Sequence, residues 1–163
     1  MGIVIGQTLP MCSNPSKDTI KSAIAGYVAA QDISARDWQI RPGRNMGQWC
    51  TGKAMDGSCP LASNLVTVEE FPENFAELSA DMKIGCSVND VVKQNSSLNQ
   101  LVFKPADLIQ YITKFFTLLP GDIILTGTPP GVGCFRKPAE YLKRGDVIKS
   151  EIEGIGSFAV KVV

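Results

Sequence analysis

The sequence predicts a β-rich α+β domain. Several short apolar runs are bounded by Gly, Pro or Asn-Asp turn signals, only one segment carries a strong helical period, and strands and helices do not alternate in a βαβ rhythm. A length of 163 residues suits one domain over 1–163 with a single core and therefore one site.

The elements follow in chain order. Ile3-Val4-Ile5 reads as the tail of a buried strand, and a loop with Pro10 and Pro15 leads into a helix over 16–24 that Ser16 caps, its lysines facing out. The run GYVAAQDI at 26–33 stays apolar until Asp32, which puts that carboxylate at the mouth of a strand. Residues 34–39 form a short helical turn and 41–48 a glycine-bearing loop. Partial alternation over 81–88, a turn at Asn89-Asp90 and a return over 91–94 predict a hairpin. Lys104 to Phe116 is the strongest amphipathic helix, with Leu108, Ile109, Ile112, Phe115 and Phe116 on one side. Leu119-Pro120-Gly121-Asp122 stops it and opens a strand over 123–125. After the loop TGTPPGVG, two strands over 146–152 and 157–163 are joined by a Gly-Ile-Gly turn.

Composition excludes several classes of function. Sixteen acidic side chains balance sixteen basic ones, so no basic field points to nucleic acid or to a membrane surface. The densest positive stretch, Arg136, Lys137, Lys143, Arg144 and Lys149, is interrupted by Glu140, Asp146 and Glu151 and reads as a solvated face. No run approaches the roughly 18 apolar residues of a transmembrane helix, and the first residues lack a basic n-region, so no targeting segment is expected in this chain. Five cysteines in no metal or redox spacing are expected to be reduced thiols that act as small buried fillers, and Trp38 and Trp49 to be core side chains. The complete absence of histidine removes the usual base and the usual transition-metal ligand. Chemistry is left to carboxylates, lysine, arginine or a hard metal.

Two polar clusters stand at element ends: Asp32, Arg36, Asp37 and Gln39 in QDISARDWQ, and Lys53 with Asp56 in GKAMDGS. A carboxylate at a strand end can bind a hard cation such as Mg²⁺. An arginine four residues on can clamp a substrate carboxylate, and a nearby lysine can stabilise an enolate. The same spacing also suits a surface ion pair, so periodicity alone leaves both open. TGTPPGVG lacks the spacing and the Lys-Ser/Thr of a P-loop, and a nucleotide-binding module built on it is the weakest reading.

Five stretches, GYVAAQDISARDWQ, GQWCTGKAMDGSCPL, 103–116, LLPGDIILTGTPPGVGCFRKP and LKRGDVIKSEIEGIG, resemble in this order the fumarylacetoacetate hydrolase C-terminal family, and especially its eukaryotic domain-containing branch. The resemblance implies a mixed β-roll or sandwich with few short helices, in which three acidic residues hold Mg²⁺ or Mn²⁺ and a 2-oxo-acid chelates the ion. Asp32 matches the third metal ligand. Arg36 and Gln39 match substrate-contacting positions, Lys53 a catalytic lysine beside the metal, and Thr128 a threonine near the substrate carboxylate; Asp37 and Asp56 fall to organising loops. The family's Glu-x-Glu pair would lie before Met1, as would a lid that carries its catalytic histidine and glutamate. The resemblance therefore implies a chain without its first strand portion and lid, weak metal binding, and an exposed sheet edge. It implies a divalent-metal enzyme acting on dicarbonyl acids through an enolate: oxaloacetate tautomerisation or decarboxylation, or acylpyruvate C–C hydrolysis. The alternative is an inactive remnant that pairs with a full-length homologue. Expected partners are a small 2-oxo-acid and a second protomer, as a homodimer or heterodimer; the expected compartment is cytoplasmic or mitochondrial.

Overall fold

The first apolar run becomes the spine of one sheet. In a computed structural model, which describes residues 1–39, 49–70 and 81–163, Gly2–Ile5 forms β1 between two antiparallel neighbours. One is β2 (Ile24–Val28), with Ile3 opposite Tyr27; the other is β6 (Ile123–Leu125), with Ile3 opposite Ile124. The two-residue β3 (Val66–Thr67) completes the order β3-β2-β1-β6. Strand β1 is thus covered on both sides, and among the described residues the sheet ends at β3 and β6.

The second sheet sets two hairpins side by side in the order β5-β4-β7-β8, built from β4 (Lys83–Val88), β5 (Val91–Ser97), β7 (Val147–Ile152) and β8 (Gly156–Lys161). Its hairpin turns at Asn89 and Asp90, whose φ values of 49° and 63° are the left-handed pair a tight hairpin needs. In β7 Ile148, Ser150 and Ile152 are buried while Lys149 and Glu151 are exposed, the period of two that turns one face of a sheet inward. The predicted β-rich α+β class is the observed one.

One apolar core joins the layers. Ile3 from the first sheet, Ile152 and Ile155 around the second, and Leu98 lie in the same cluster as Ile20, Ala23 and Ile109 from the helices. Each fully buried aliphatic side chain of this kind stabilises the fold by about 1.5–3 kcal/mol. Helix α1 (Lys17–Ala23) starts as predicted: the Ser16 side chain accepts from the Thr19 N–H.

Three expectations need correction. The long amphipathic helix ends early: α4 runs Pro105–Ile112, and Phe115 and Phe116 stay 55% and 65% exposed. The cause is competition for its last carbonyls, since the Cys12 N–H donates to the Thr113 oxygen and the Cys12 thiol to that of Lys114. The thiols are not buried fillers, because Cys12, Cys50 and Cys59 are exposed and Cys86 and Cys134 half-buried; all five are free. Trp38 and Trp49 are 48% and 60% exposed, not core. The glycine-bearing loop expected at 41–48 lies outside the described residues. The basic stretch is a solvated, ion-paired face as expected: Lys93 and Arg136 meet Glu140, and Lys149 meets Asp90.

Candidate active site

Strand β2 stops at Val28, and the next residues leave the sheet as an extended segment held against the 58–62 stretch. Ala30 bridges Leu61, the Gln31 N–H donates to the Pro60 oxygen, and the Ile33 N–H donates to the Ser58 oxygen. Asp32 sits between those two bonds. It therefore lies beyond the strand end, on backbone as fixed as a strand. The Gln31 side chain donates to Ser150 Oγ at 2.7 Å and to Cys86 Sγ at 3.3 Å, tying this segment to the second sheet.

Two single-turn helices follow, α2 (Arg36–Gln39) and α3 (Cys50–Lys53). The Ala35 N–H donates to the Gly52 oxygen at 2.9 Å, which brings the turns together. Their contact carries Lys53 back to Asp32: Nζ lies 2.5 Å from Oδ2, with the side chains 27% and 43% exposed. A pair this open to water adds under about 1 kcal/mol to stability. What it does instead is set a cation beside the carboxylate at a cleft wall.

Arg36 Nη1 donates to Gln39 Oε1 at 2.7 Å, and the guanidinium stands 5.7 Å from the centre of the Phe135 ring. Gln39 is 3% exposed, and among the described residues its Nε2 has no partner. It reaches outward through Arg36. Thr128, on the loop after β6, is exposed, and its Oγ1 accepts from Gln94 Nε2 at 2.8 Å. Asp32, Arg36, Gln39, Lys53 and Thr128 all line one cleft of about 1430 Å³ between the sheets. Asp37 lines it too, while Asp56 is exposed beside it.

Burial, and then the Asp32 carboxylate, push the Cys59 thiol up; burial likewise raises Cys86 against the opposing hydrogen bonds of Gln31 and Ser150. Both are thereby held as thiols at neutral pH. The donor set does not fit a three-carboxylate metal site. Among the described residues no group of three His, Cys, Asp or Glu side chains stands close enough to hold an ion, and the Asp32 carboxylate already meets Lys53.

Sequence reasoning missed Gln31, Gln94 and Phe135. Each acts through a partner far along the chain, and the one local signal was the polar run KQNSS, which starts in the predicted hairpin and runs past its expected end at Gln94.

The fumarylacetoacetate (FAA) hydrolase C-terminal family model matches residues 1–163. Oxaloacetate tautomerase Fahd2a, mitochondrial, of Rattus norvegicus is 48% identical over 144 residues, 88% of this chain and 44% of its own. The fumarylacetoacetate hydrolase domain-containing protein 2 homolog of Dictyostelium discoideum is 42% identical over 168 residues, 98% of this chain and 52% of its own. Among solved structures, fumarylacetoacetate hydrolase from psychrophilic Exiguobacterium antarcticum superposes with a TM-score of 0.85 at 32% identity, covering 99% of this chain and 53% of that one. For 5-carboxymethyl-2-hydroxymuconate delta-isomerase from Mycobacterium smegmatis the values are 0.80, 33%, 99% and 56%. The chain thus spans about half the length of the proteins it matches.

Proposed function

The chain belongs to the fumarylacetoacetate hydrolase C-terminal family, and from that premise we propose that it acts on small 2-oxo or dicarbonyl acids through an enolate, with oxaloacetate keto–enol tautomerisation as the leading reaction. The observation that carries this reading is the convergence of Asp32, Arg36, Gln39, Lys53 and Thr128 on one cleft. The names of the rat relative and of the mycobacterial isomerase support tautomerisation over decarboxylation or acylpyruvate hydrolysis.

In this reading Arg36, aimed by Gln39, clamps one substrate carboxylate through N–H groups other than the one given to Gln39, and the Thr128 hydroxyl donates to the other. Lys53, held by Asp32, gives a proton to C3 of the enol as the 2-hydroxyl proton passes to water; the amine then regains a proton from water, and the net change is isomerisation. Mg²⁺ or Mn²⁺ is placed at Asp32 only as a weak, water-rich association, because a single carboxylate offers a hard cation one anionic ligand. No step above passes through it. The word mitochondrial in the rat relative's name favours that compartment over the cytoplasm.

The test is decay of enol-oxaloacetate absorbance with the purified chain, Lys53→Met and Arg36→Ala. Acceleration by the unaltered chain that both variants lose supports the reading; no acceleration overturns it. That no three acidic side chains gather to hold an ion among the described residues favours a second reading, an inactive protomer that pairs with a full-length homologue. Its mark is a stable complex with such a homologue, by sedimentation, from a chain that leaves the enol untouched.

A further inference from the structure

Loop 126–136 is seated on β5 by bonds that the proposed chemistry has not used. Gln94 Nε2 lies 2.8 Å from Thr128 Oγ1 and 2.7 Å from the Pro129 oxygen. Beside it, Arg136 donates through Nη2 to the Lys93 oxygen at 2.7 Å and through Nε to the Gly131 oxygen at 3.1 Å. Gly131, at φ +112°, lets the loop close on the strand: a Cβ there would stand 2.1 Å from the Lys93 oxygen.

The direction of these bonds can be read without seeing a hydrogen. A carbonyl oxygen only accepts, so the Pro129 oxygen fixes the amide nitrogen of Gln94, not its oxygen, toward the loop. The two N–H groups of that nitrogen then serve Pro129 and Thr128. A hydroxyl that accepts from an amide keeps its own proton for another acceptor. Among the described residues the acceptor within its reach is the Pro129 oxygen at a long 3.4 Å, against the 2.7 Å bond that oxygen takes from Gln94. Thr128 lines the cleft, and a carboxylate there accepts and never donates.

We propose that Gln94 is a positioning residue that fixes the Thr128 hydroxyl as a donor to the anionic head of the substrate. This rests on the reading in which Thr128 meets a substrate carboxylate. It adds a specificity rule: the subsite selects an acceptor-only group and rejects a neutral amide nitrogen at the same place, because a facing donor would meet a donor.

The test is calorimetric titration of oxalate into the 163-residue chain, with urea unfolding as the control for folding. Gln94→Met is expected to weaken oxalate about fivefold, the scale of one hydrogen bond, and Gln94→Glu at pH 8 by about tenfold or more. Two oxygen acceptors face the carboxyl that Gln94→Glu introduces, so it titrates above the ordinary range, and its oxalate affinity recovers as pH falls toward 5 while that of the unaltered chain holds. A purely structural glutamine gives no such recovery. Thr128→Val is expected to lose a similar factor, and Gln94→Met to add nothing to it. Unchanged oxalate affinity in Gln94→Met and Gln94→Glu, or losses that simply multiply with Thr128→Val, overturns the inference while leaving the functional reading intact. If the unaltered chain binds no oxalate, the functional reading fails and this inference with it.

Discussion

Gly52→Ala probes the joint on which the site depends. Gly52 is buried in α3, and its backbone is not in the left-handed region, so the substitution tests space alone. A Cβ there would lie 3.0 Å from Gln39 Cβ, 3.1 Å from the Ala35 oxygen and 3.3 Å from the Gln39 nitrogen, all in or next to α2. Two of the three are backbone atoms, which cannot swing aside, so the turns must part by a few tenths of an ångström. Overpacking of this kind costs about 1–3 kcal/mol, and alanine's better helical preference returns about 1 kcal/mol at most. The net is a loss of up to about 2 kcal/mol, a fall in the urea midpoint of up to roughly 1 M. Because α3 carries Lys53 and α2 carries Arg36, oxalate affinity is expected to fall by about tenfold as the facing groups lose register. Urea unfolding and calorimetry read the two effects. A protein with an unchanged midpoint and unchanged affinity would refute the claim that this close contact sets the site. Gly85→Ala is the matched control: its nearest neighbour is the end of the Glu151 side chain at 3.3 Å, which can move, and stability should hold to within about 0.5 kcal/mol.

Ile3→Ala empties the centre of the first sheet, where Ile3 is 0% exposed between Tyr27 and Ile124, and should cost about 2–5 kcal/mol by urea unfolding. Ser16→Ala removes the acceptor of the Thr19 N–H and should cost about 1 kcal/mol, with oxalate binding unaffected. Asp146 accepts from Asn89 Nδ2 and from the Lys143 N–H, bonds that hold its carboxyl below the usual range. A carboxyl lowered by folding stabilises fully above its unfolded value and loses that contribution as pH falls through the folded one. Asp146→Asn should therefore flatten the acid limb of a stability-against-pH curve and leave the neutral plateau shape unchanged.

The sequence was most legible where structure is local. Ser16 before a helix, Asn89-Asp90 between two alternating runs, and the apolar 3–5 run each carry their own instruction, and each element formed where expected. Legibility failed where a distant residue competes for a local group. The period that favours a helix through Phe116 says nothing about the Cys12 N–H that takes the Thr113 carbonyl. Trp38 and Trp49 were misread for a related reason: a large aromatic is apolar enough for a core, but here both stand at a cleft wall. In the site, the residue types and the oxo-acid reading came from motif order, whereas the pairings did not. Asp32 meets Lys53 across 21 residues and Thr128 meets Gln94 across 34, contacts that exist only once the sheets have formed.

Those pairings change what the site residues can be asked to do. Gln39 matched a substrate-contacting position, yet the fold buries it and commits its oxygen to Arg36, leaving a buried nitrogen with no partner among the described residues, a desolvation cost of about 1–3 kcal/mol. A cost of that size is sustained where it fixes something else, and what it fixes here is the direction of a guanidinium with further N–H groups to offer. Thr128 is likewise aimed by Gln94, and Lys53 by Asp32. Each group proposed to face the substrate thus has a partner that orients it before any ligand arrives, so little ordering remains to oppose binding. Since Asp32 commits its carboxylate to Lys53, a cation competing for that oxygen must displace an ammonium already in place, and in the proposed reading an anionic substrate gains most from the arginine, the lysine and the hydroxyl acting together.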